Sequence, residues 1–146
     1  MKPMFEENAV LNSREFPFPR ELVFEAWSNP ERLARWWGPN GFTNTFETFD
    51  FRPGGEWRFV MRGPDGTDYP NRNVFKEIVP LERIVIHHPL DPEFQLTAVF
   101  EEAGGRTKLS WRQQFKEKEA FDQMKSIAAE ANEQNFDRLN EVLSGM

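Results

Sequence analysis

The sequence predicts an α+β fold in which an antiparallel sheet of six to seven strands packs against one long C-terminal helix. Between Thr43 and Phe115, apolar and polar residues alternate in short runs separated by tight turns, which is typical of strands joined by hairpins. From about Glu117 to Leu143 the chain has neither glycine nor proline, so one helix of roughly 40 Å is expected. A sheet with one apolar face and a helix with one apolar stripe must cover each other.

Two short helices are predicted to follow the first strand. That strand runs from Ala9 to Phe16 and is ended by the prolines after it. Glu21 to Trp27 has an apolar side and is predicted as the first helix. Asn29 is an N-cap residue followed by proline, which marks the start of the second helix, and Gly38-Pro39 ends it.

The alternating region divides into further strands separated by turn residues. Trp57 and Phe59 lie on one face of the clearest example, with charged residues between them. A loop is expected from Pro64 to about Asn71. The predicted strands are Thr45 to Phe51, Glu56 to Arg62, Asn73 to Val79, Arg83 to His88, Phe94 to Phe100 and Lys108 to Phe115.

The bulk composition predicts one soluble domain over residues 1–146, with no metal site and no cofactor. The chain has no cysteine, which excludes disulfides, thiolate nucleophiles and iron–sulfur clusters. A formal net charge of −6 disfavours nucleic acid and anionic lipid as partners. Neither a signal peptide nor an apolar run long enough for membrane insertion is visible, so a cytoplasmic location is expected.

Three motifs resemble those of one known family. FPFPRELVFEAWSNPERLARWWGP (Phe16 to Pro39) is similar to its opening signature, FDFRPGGEWRF (Phe49 to Phe59) to its hairpin, and FKEIVPLERIV (Phe75 to Val85) to a later turn. Together they resemble the bacterial members of the activator-of-heat-shock-protein-90-ATPase family. The resemblance implies the START-like, or Bet v-like, helix-grip fold, in which a curved sheet wraps around the C-terminal helix.

The resemblance also carries expectations about function. The eukaryotic co-chaperone that gives the family its name has an additional N-terminal domain, and nothing in this sequence matches it. What is implied is a lone domain that binds a small apolar or amphipathic molecule without transforming it, in a cavity between sheet and helix, with a stress-related role. An enzyme like the polyketide cyclases or aromatases of the same superfold is the alternative. A chaperone-interaction module is the weaker one, and a homodimer is left open.

Aromatic residues are the most informative compositional feature. Fifteen Phe and five Trp accompany a single Tyr, and they either fill the core of a β-rich domain or line a ligand cavity. Trp36 and Trp37 close the second helix, where a structural role and a lid over the cavity are both open. His87 and His88 are adjacent, so they point to opposite faces of their strand, and only His88 is expected inside.

Asn135 interrupts the apolar stripe of the last helix, which predicts either a hydrogen bond to the structure or a polar anchor in a cavity with Gln113. Ala128 and Ala131 narrow the same helix and leave space beside it. No nucleophile–base pair or inward carboxylate pair is recognised, so no catalytic residue is assigned. The predicted cavity lining is Trp36, Trp37, Trp57, Phe59, His88, Phe94, Leu96, Trp111, Gln113, Met124, Ala128, Ala131 and Asn135.

Overall fold

The computed structural model describes residues 2–146, and within that range the chain forms eight strands and three helices. The strands are β1 (Met4–Glu6), β2 (Ala9–Phe16), β3 (Thr43–Phe49), β4 (Glu56–Arg62), β5 (Asp68–Val79), β6 (Arg83–His88), β7 (Phe94–Ala103) and β8 (Arg106–Phe115). The helices are α1 (Arg20–Ser28), α2 (Pro30–Trp36) and α3 (Lys118–Ser144).

All strands belong to one sheet in the order β1-β2-β8-β7-β6-β5-β4-β3, and every neighbouring pair is antiparallel. Helix α3 packs on β2 and β8 and also contacts α1 and α2, so the helices cover one face of the sheet. This arrangement confirms the predicted α+β helix-grip fold. Among residues 2–146, none of the helices combines the length and apolar character that crossing a bilayer requires.

The predicted strand number was wrong, because the described residues form eight strands and not six to seven. The missed strand is β1, whose residues are all exposed and therefore show no apolar alternation. Strand β5 also starts at Asp68, inside the predicted loop, because its exposed first residues pair with β4. Arg62 and Asp68 face each other there, with Nε 2.8 Å from Oδ1. These residues form strands because a neighbouring strand pairs with them, although their own sequence shows no strand pattern.

The start of α2 follows the predicted capping chemistry. The amide N–H of Glu31 donates to Asn29 Oδ1 at 3.0 Å, and Pro30 occupies the first turn. Trp37 caps the other end, and Gly38 continues with a φ of +97°. A Cβ at Gly38 would lie 2.6 Å from Met61 Cε, so both the backbone conformation and the space favour glycine.

The core lies between the sheet and the three helices described for residues 2–146, and it is dominated by aromatic rings. Trp27 is central, because it contacts the rings of Trp36, Trp37 and Trp111 at centroid distances of 5.0, 5.9 and 5.4 Å. Trp57 joins the same cluster through Trp37, so all five tryptophans of the chain belong to one connected group of rings. Most of the aromatic excess therefore fills the core.

Candidate functional site

A cavity of about 150 Å³ lies between the concave face of the sheet, α3 and the segment that follows α2. Part of its wall is apolar and aromatic, and part is formed by three amide side chains. Among residues 2–146, no charged side chain lines it. The lining residues are Trp37, Gly38, Pro39, Met61, Phe94, Leu96, Trp111, Gln113, Asn132 and Asn135.

The structure brings some of the predicted lining residues together at this cavity and places the others elsewhere. Met124 and Ala128 pack in a second apolar cluster with Phe115 and Phe121, and Ala131 is half-buried. His88 lies on the concave face but is not in the wall. The predicted residues on the wall are Trp37, Phe94, Leu96, Trp111, Gln113 and Asn135. The core holds Trp36, Trp57 and Phe59.

The two adjacent tryptophans at the end of α2 have different roles. Trp36 is fully buried, and its indole N–H donates to the carbonyl of Ala26 at 3.0 Å, which fixes α2 against α1. Trp37 is half-buried and stacks on Trp111, with ring centroids 5.6 Å apart and planes inclined by 22°. Trp37 and Trp111 therefore form one continuous aromatic wall of the cavity.

Asn135 both hydrogen-bonds to the protein and lines the cavity, the two alternatives that its position in the apolar stripe had raised. It is 6% exposed, its Oδ1 accepts the Gly38 N–H at 2.8 Å, and its Nδ2 donates to the Ala131 carbonyl at 3.1 Å. Its amide is thus satisfied by the protein while one side of it lines the cavity. Asn135 holds the chain after α2 against α3.

Arg138 reinforces the same attachment, and the sequence patterns did not single it out. Its guanidinium group donates to five backbone carbonyl groups, one in the last turn of α2 and four in residues 37–42, the segment between α2 and β3. Burial lowers the pKa of Arg138, and Glu141 counteracts that effect. We call this set of bonds the Arg138 clamp. The accepting carbonyls, at 2.7–3.2 Å, are those of Arg35, Trp37, Gly38, Pro39 and Phe42.

A chain of amides, here called the amide chain (Asn12, Asn132 and Gln113), links β2, α3 and β8. Asn12 Nδ2 donates to the Ala129 carbonyl at 3.1 Å and to Glu133 Oε2 at 2.8 Å. Asn132 Nδ2 donates to Asn12 Oδ1 at 3.1 Å and to Gln113 Oε1 at 3.2 Å. Asn132 is 5% exposed, and it was not among the predicted residues because its partner Asn12 is distant in the sequence.

His88 is buried beside the cavity and pairs with Asn73. Its Nδ1 lies 2.8 Å from Asn73 Oδ1, and its ring stacks on Phe94 with centroids 4.6 Å apart. Burial, assisted by the neighbouring His87, lowers the pKa of His88 to about 4. The ring is therefore neutral at pH 7, with its Nδ1–H donating to the amide oxygen.

We expect His88 to make the protein less stable as the pH falls from 6.5 to about 4. In that window the unfolded chain binds a proton that the folded chain excludes, so the free energy of unfolding falls by up to about 3 kcal/mol and then levels off. Urea unfolding at a series of pH values measures it. His88→Gln keeps a donor for Asn73 and should flatten the curve, whereas His87→Gln should reduce the fall only slightly, because burial is the larger cause of the low pKa of His88. Equal curves for wild type and His88→Gln would contradict the expectation.

The chain is similar to proteins of one known family along most of its length. The family model described as "Activator of Hsp90 ATPase homolog 1-like protein" matches residues 17–144. A solution structure from Arthrobacter aurescens is 25% identical, with a TM-score of 0.92 over 99% of this chain and 92% of that one. A crystal structure from Nitrosomonas europaea is 22% identical, with a TM-score of 0.89 over 97% of both chains. An AHSA1-like protein from Aeromonas hydrophila is 18% identical, with a TM-score of 0.73 over 92% of both. No curated protein matches the sequence.

Proposed function

Because the chain belongs to the family of Activator of Hsp90 ATPase homolog 1-like proteins, we propose that its START-like domain binds a small, mostly apolar or amphipathic molecule and does not transform it. The observation that carries this proposal is the cavity of about 150 Å³, with aromatic rings on one side and amides on another. Apolar walls with a few placed polar groups are the usual composition of a ligand site.

The size of the cavity limits the ligand. An apolar cavity of about 150 Å³ holds one benzene-sized molecule, so we expect a ligand with a single ring or an aliphatic body of similar volume. A larger molecule must either extend through the open side of the cavity or displace the wall formed by Trp37, Gly38 and Pro39. The Arg138 clamp and the Asn135 bond oppose that movement.

Binding without chemistry is favoured by what surrounds the cavity. Its lining within residues 2–146 contains no side chain that titrates. His88 stacks on the wall residue Phe94, but its ring is neutral and is bonded to Asn73. General acid–base catalysis needs a group whose protonation changes near the operating pH and which reaches the reacting atom. No side chain in the lining described for residues 2–146 meets either requirement.

We expect toluene and phenol, used as single-ring probes, to bind the wild-type protein and to be excluded by Leu96→Trp. Leu96 is 2% exposed and lies in the cavity wall, so a larger side chain there occupies the space of the ligand. Saturation-transfer NMR on the probe detects binding directly. Thr97→Trp is the matched control, since the next residue of β7 points to the other face of the sheet.

Thermal unfolding of each variant shows that it is folded before binding is measured. Binding of a probe to wild type and Thr97→Trp, with loss in Leu96→Trp, supports the proposal. The proposal fails if neither probe binds the wild type, or if Leu96→Trp binds as well as wild type. Chemical conversion of a bound compound would favour an enzyme instead.

A further inference from the structure

The amide chain leaves two polar atoms at the cavity without a partner. The carbonyl of Ala129 can only accept, so Asn12 must present its NH₂ group there and its Oδ1 to Asn132. Asn132 Nδ2 must then be the donor to both Asn12 and Gln113. The acceptor on Gln113 is therefore Oε1. The remaining atoms, Asn132 Oδ1 and Gln113 Nε2, have no hydrogen-bond partner within residues 2–146.

These two atoms offer one acceptor and one donor on two side chains that are bonded to each other. Both side chains line the cavity, they are joined by the 3.2 Å bond between Asn132 Nδ2 and Gln113 Oε1, and Asn132 is 5% exposed. Polar atoms that lose their contact with water when a ligand fills the cavity are costly unless the ligand pairs with them. The third amide of the wall, Asn135, differs because each of its two polar atoms already has a protein partner, in Gly38 and Ala131.

The absence of charged side chains from the described lining residues narrows the chemical class of the ligand further. The lining contributed by residues 2–146 contains no cation to pair with a carboxylate and no anion to pair with an ammonium. The arginine of the neighbouring clamp is committed to five backbone carbonyls. An ionised ligand would therefore lose its hydration without gaining a counter-charge, which costs far more than burying a neutral hydroxyl group.

We propose that the cavity selects an uncharged single-ring molecule that carries a hydroxyl group, held between Asn132 and Gln113. The hydroxyl donates its proton to Asn132 Oδ1 and accepts from Gln113 Nε2, while the ring lies against Trp37 and Trp111. This inference rests on the proposed binding function and adds the chemical class of the ligand to it.

Phenol and toluene have nearly the same shape but differ in the hydroxyl group. Their relative affinities therefore show whether the cavity contains the polar pair of Asn132 and Gln113 or is only apolar. In an apolar cavity toluene binds more tightly, because phenol must give up its hydrogen bonds to water. With the amide pair in place, we expect phenol to bind the wild type more tightly than toluene, by roughly tenfold, the factor that one to two net hydrogen bonds supply. Benzoate should show no binding in the same titrations by probe-detected NMR.

Gln113→Met tests the assignment of the pair, because methionine keeps the length of the side chain and removes the donor. Phenol affinity should fall roughly tenfold, and toluene affinity should stay the same or rise. Gln114→Met is the matched control, since Gln114 lies on the opposite face of β8 and is bonded to Arg112 and to the Glu7 carbonyl. The wild-type order of affinities needs no variant and stands even if Gln113→Met unfolds.

The outcomes distinguish a failure of the hydroxyl selection from a failure of the binding function on which it rests. Toluene binding as tightly as phenol or more tightly, or benzoate binding as well as phenol, overturns the hydroxyl selection while the binding function stands. Phenol affinity unchanged in Gln113→Met also overturns it. Failure of both phenol and toluene to bind the wild type overturns the two proposals together.

Discussion

Replacing Phe59 with alanine should lower the free energy of unfolding by about 3–5 kcal/mol, the usual loss for a fully packed phenylalanine. Phe59 is 1% exposed and stacks on Trp57 with ring centroids 4.5 Å apart and planes inclined by 21°. Phe46 packs on it at a centroid distance of 5.8 Å. The residue lies in the core beside the cavity wall and not in it, so the surrounding side chains leave no existing space into which they can relax.

Urea unfolding of Phe59→Ala against Phe5→Ala measures this expectation. Phe5 is 49% exposed, and its ring contacts Phe121 and the ammonium group of Lys125, so its replacement should cost less than about 1 kcal/mol. A loss for Phe59→Ala as small as that for Phe5→Ala would mean that the packing around Trp57 is loose. The predicted core would then be wrong at this strand.

The fold could be predicted because its main signals are local. The alternation of Trp57 and Phe59, the Asn29 cap and the unbroken final helix each depend on neighbours in sequence, and each is confirmed. Strand β1 and the start of β5 were missed for the opposite reason. Their residues are exposed, so they are strands only because β2 and β4 supply hydrogen-bond partners.

The polar part of the site could be predicted only in fragments. Asn135 and Gln113 were noticed because they fall in phase with apolar residues, which is a local signal. Asn132 was missed although it lies one helical turn from the buried Ala128 and Phe136, because its partner Asn12 is on β2, 120 residues away in the chain. Its role is a property of the tertiary contact and not of the helix pattern.

Arg138 is the clearest case of a contact without a sequence signal. A lone arginine on a helix usually lies in solvent, and nothing near it in sequence indicates five carbonyl partners between 96 and 103 residues away. The Gly38-Pro39 step shows only that a helix ends there and that carbonyl groups are left without intrahelical partners. Which side chain satisfies them is decided by how α3 crosses α2.

Replacing Arg138 with methionine should lower the free energy of unfolding by about 3 kcal/mol. Methionine keeps an unbranched apolar stem, so the loss reports the hydrogen bonds more than the packing. A bond to a charged donor contributes about 1.5–3 kcal/mol, and bonds from one group are not additive, so the five together exceed one such bond but not by fivefold. Urea unfolding at neutral pH gives the value, and the segment 37–42 should lose protection from amide exchange.

Arg138→Lys should recover only part of that loss, because an ammonium group has three donors on one atom and cannot span the carbonyls that both guanidinium nitrogens reach. Arg35→Met is the matched control: its side chain is exposed, and the change should stay within about 0.5 kcal/mol of wild type. Gly38 reports the local effect, because its N–H is held by Asn135 and should exchange faster once the clamp is gone. Full stability of Arg138→Lys, or unchanged Gly38 exchange in Arg138→Met, would show that Asn135 and packing hold the cavity wall without the clamp.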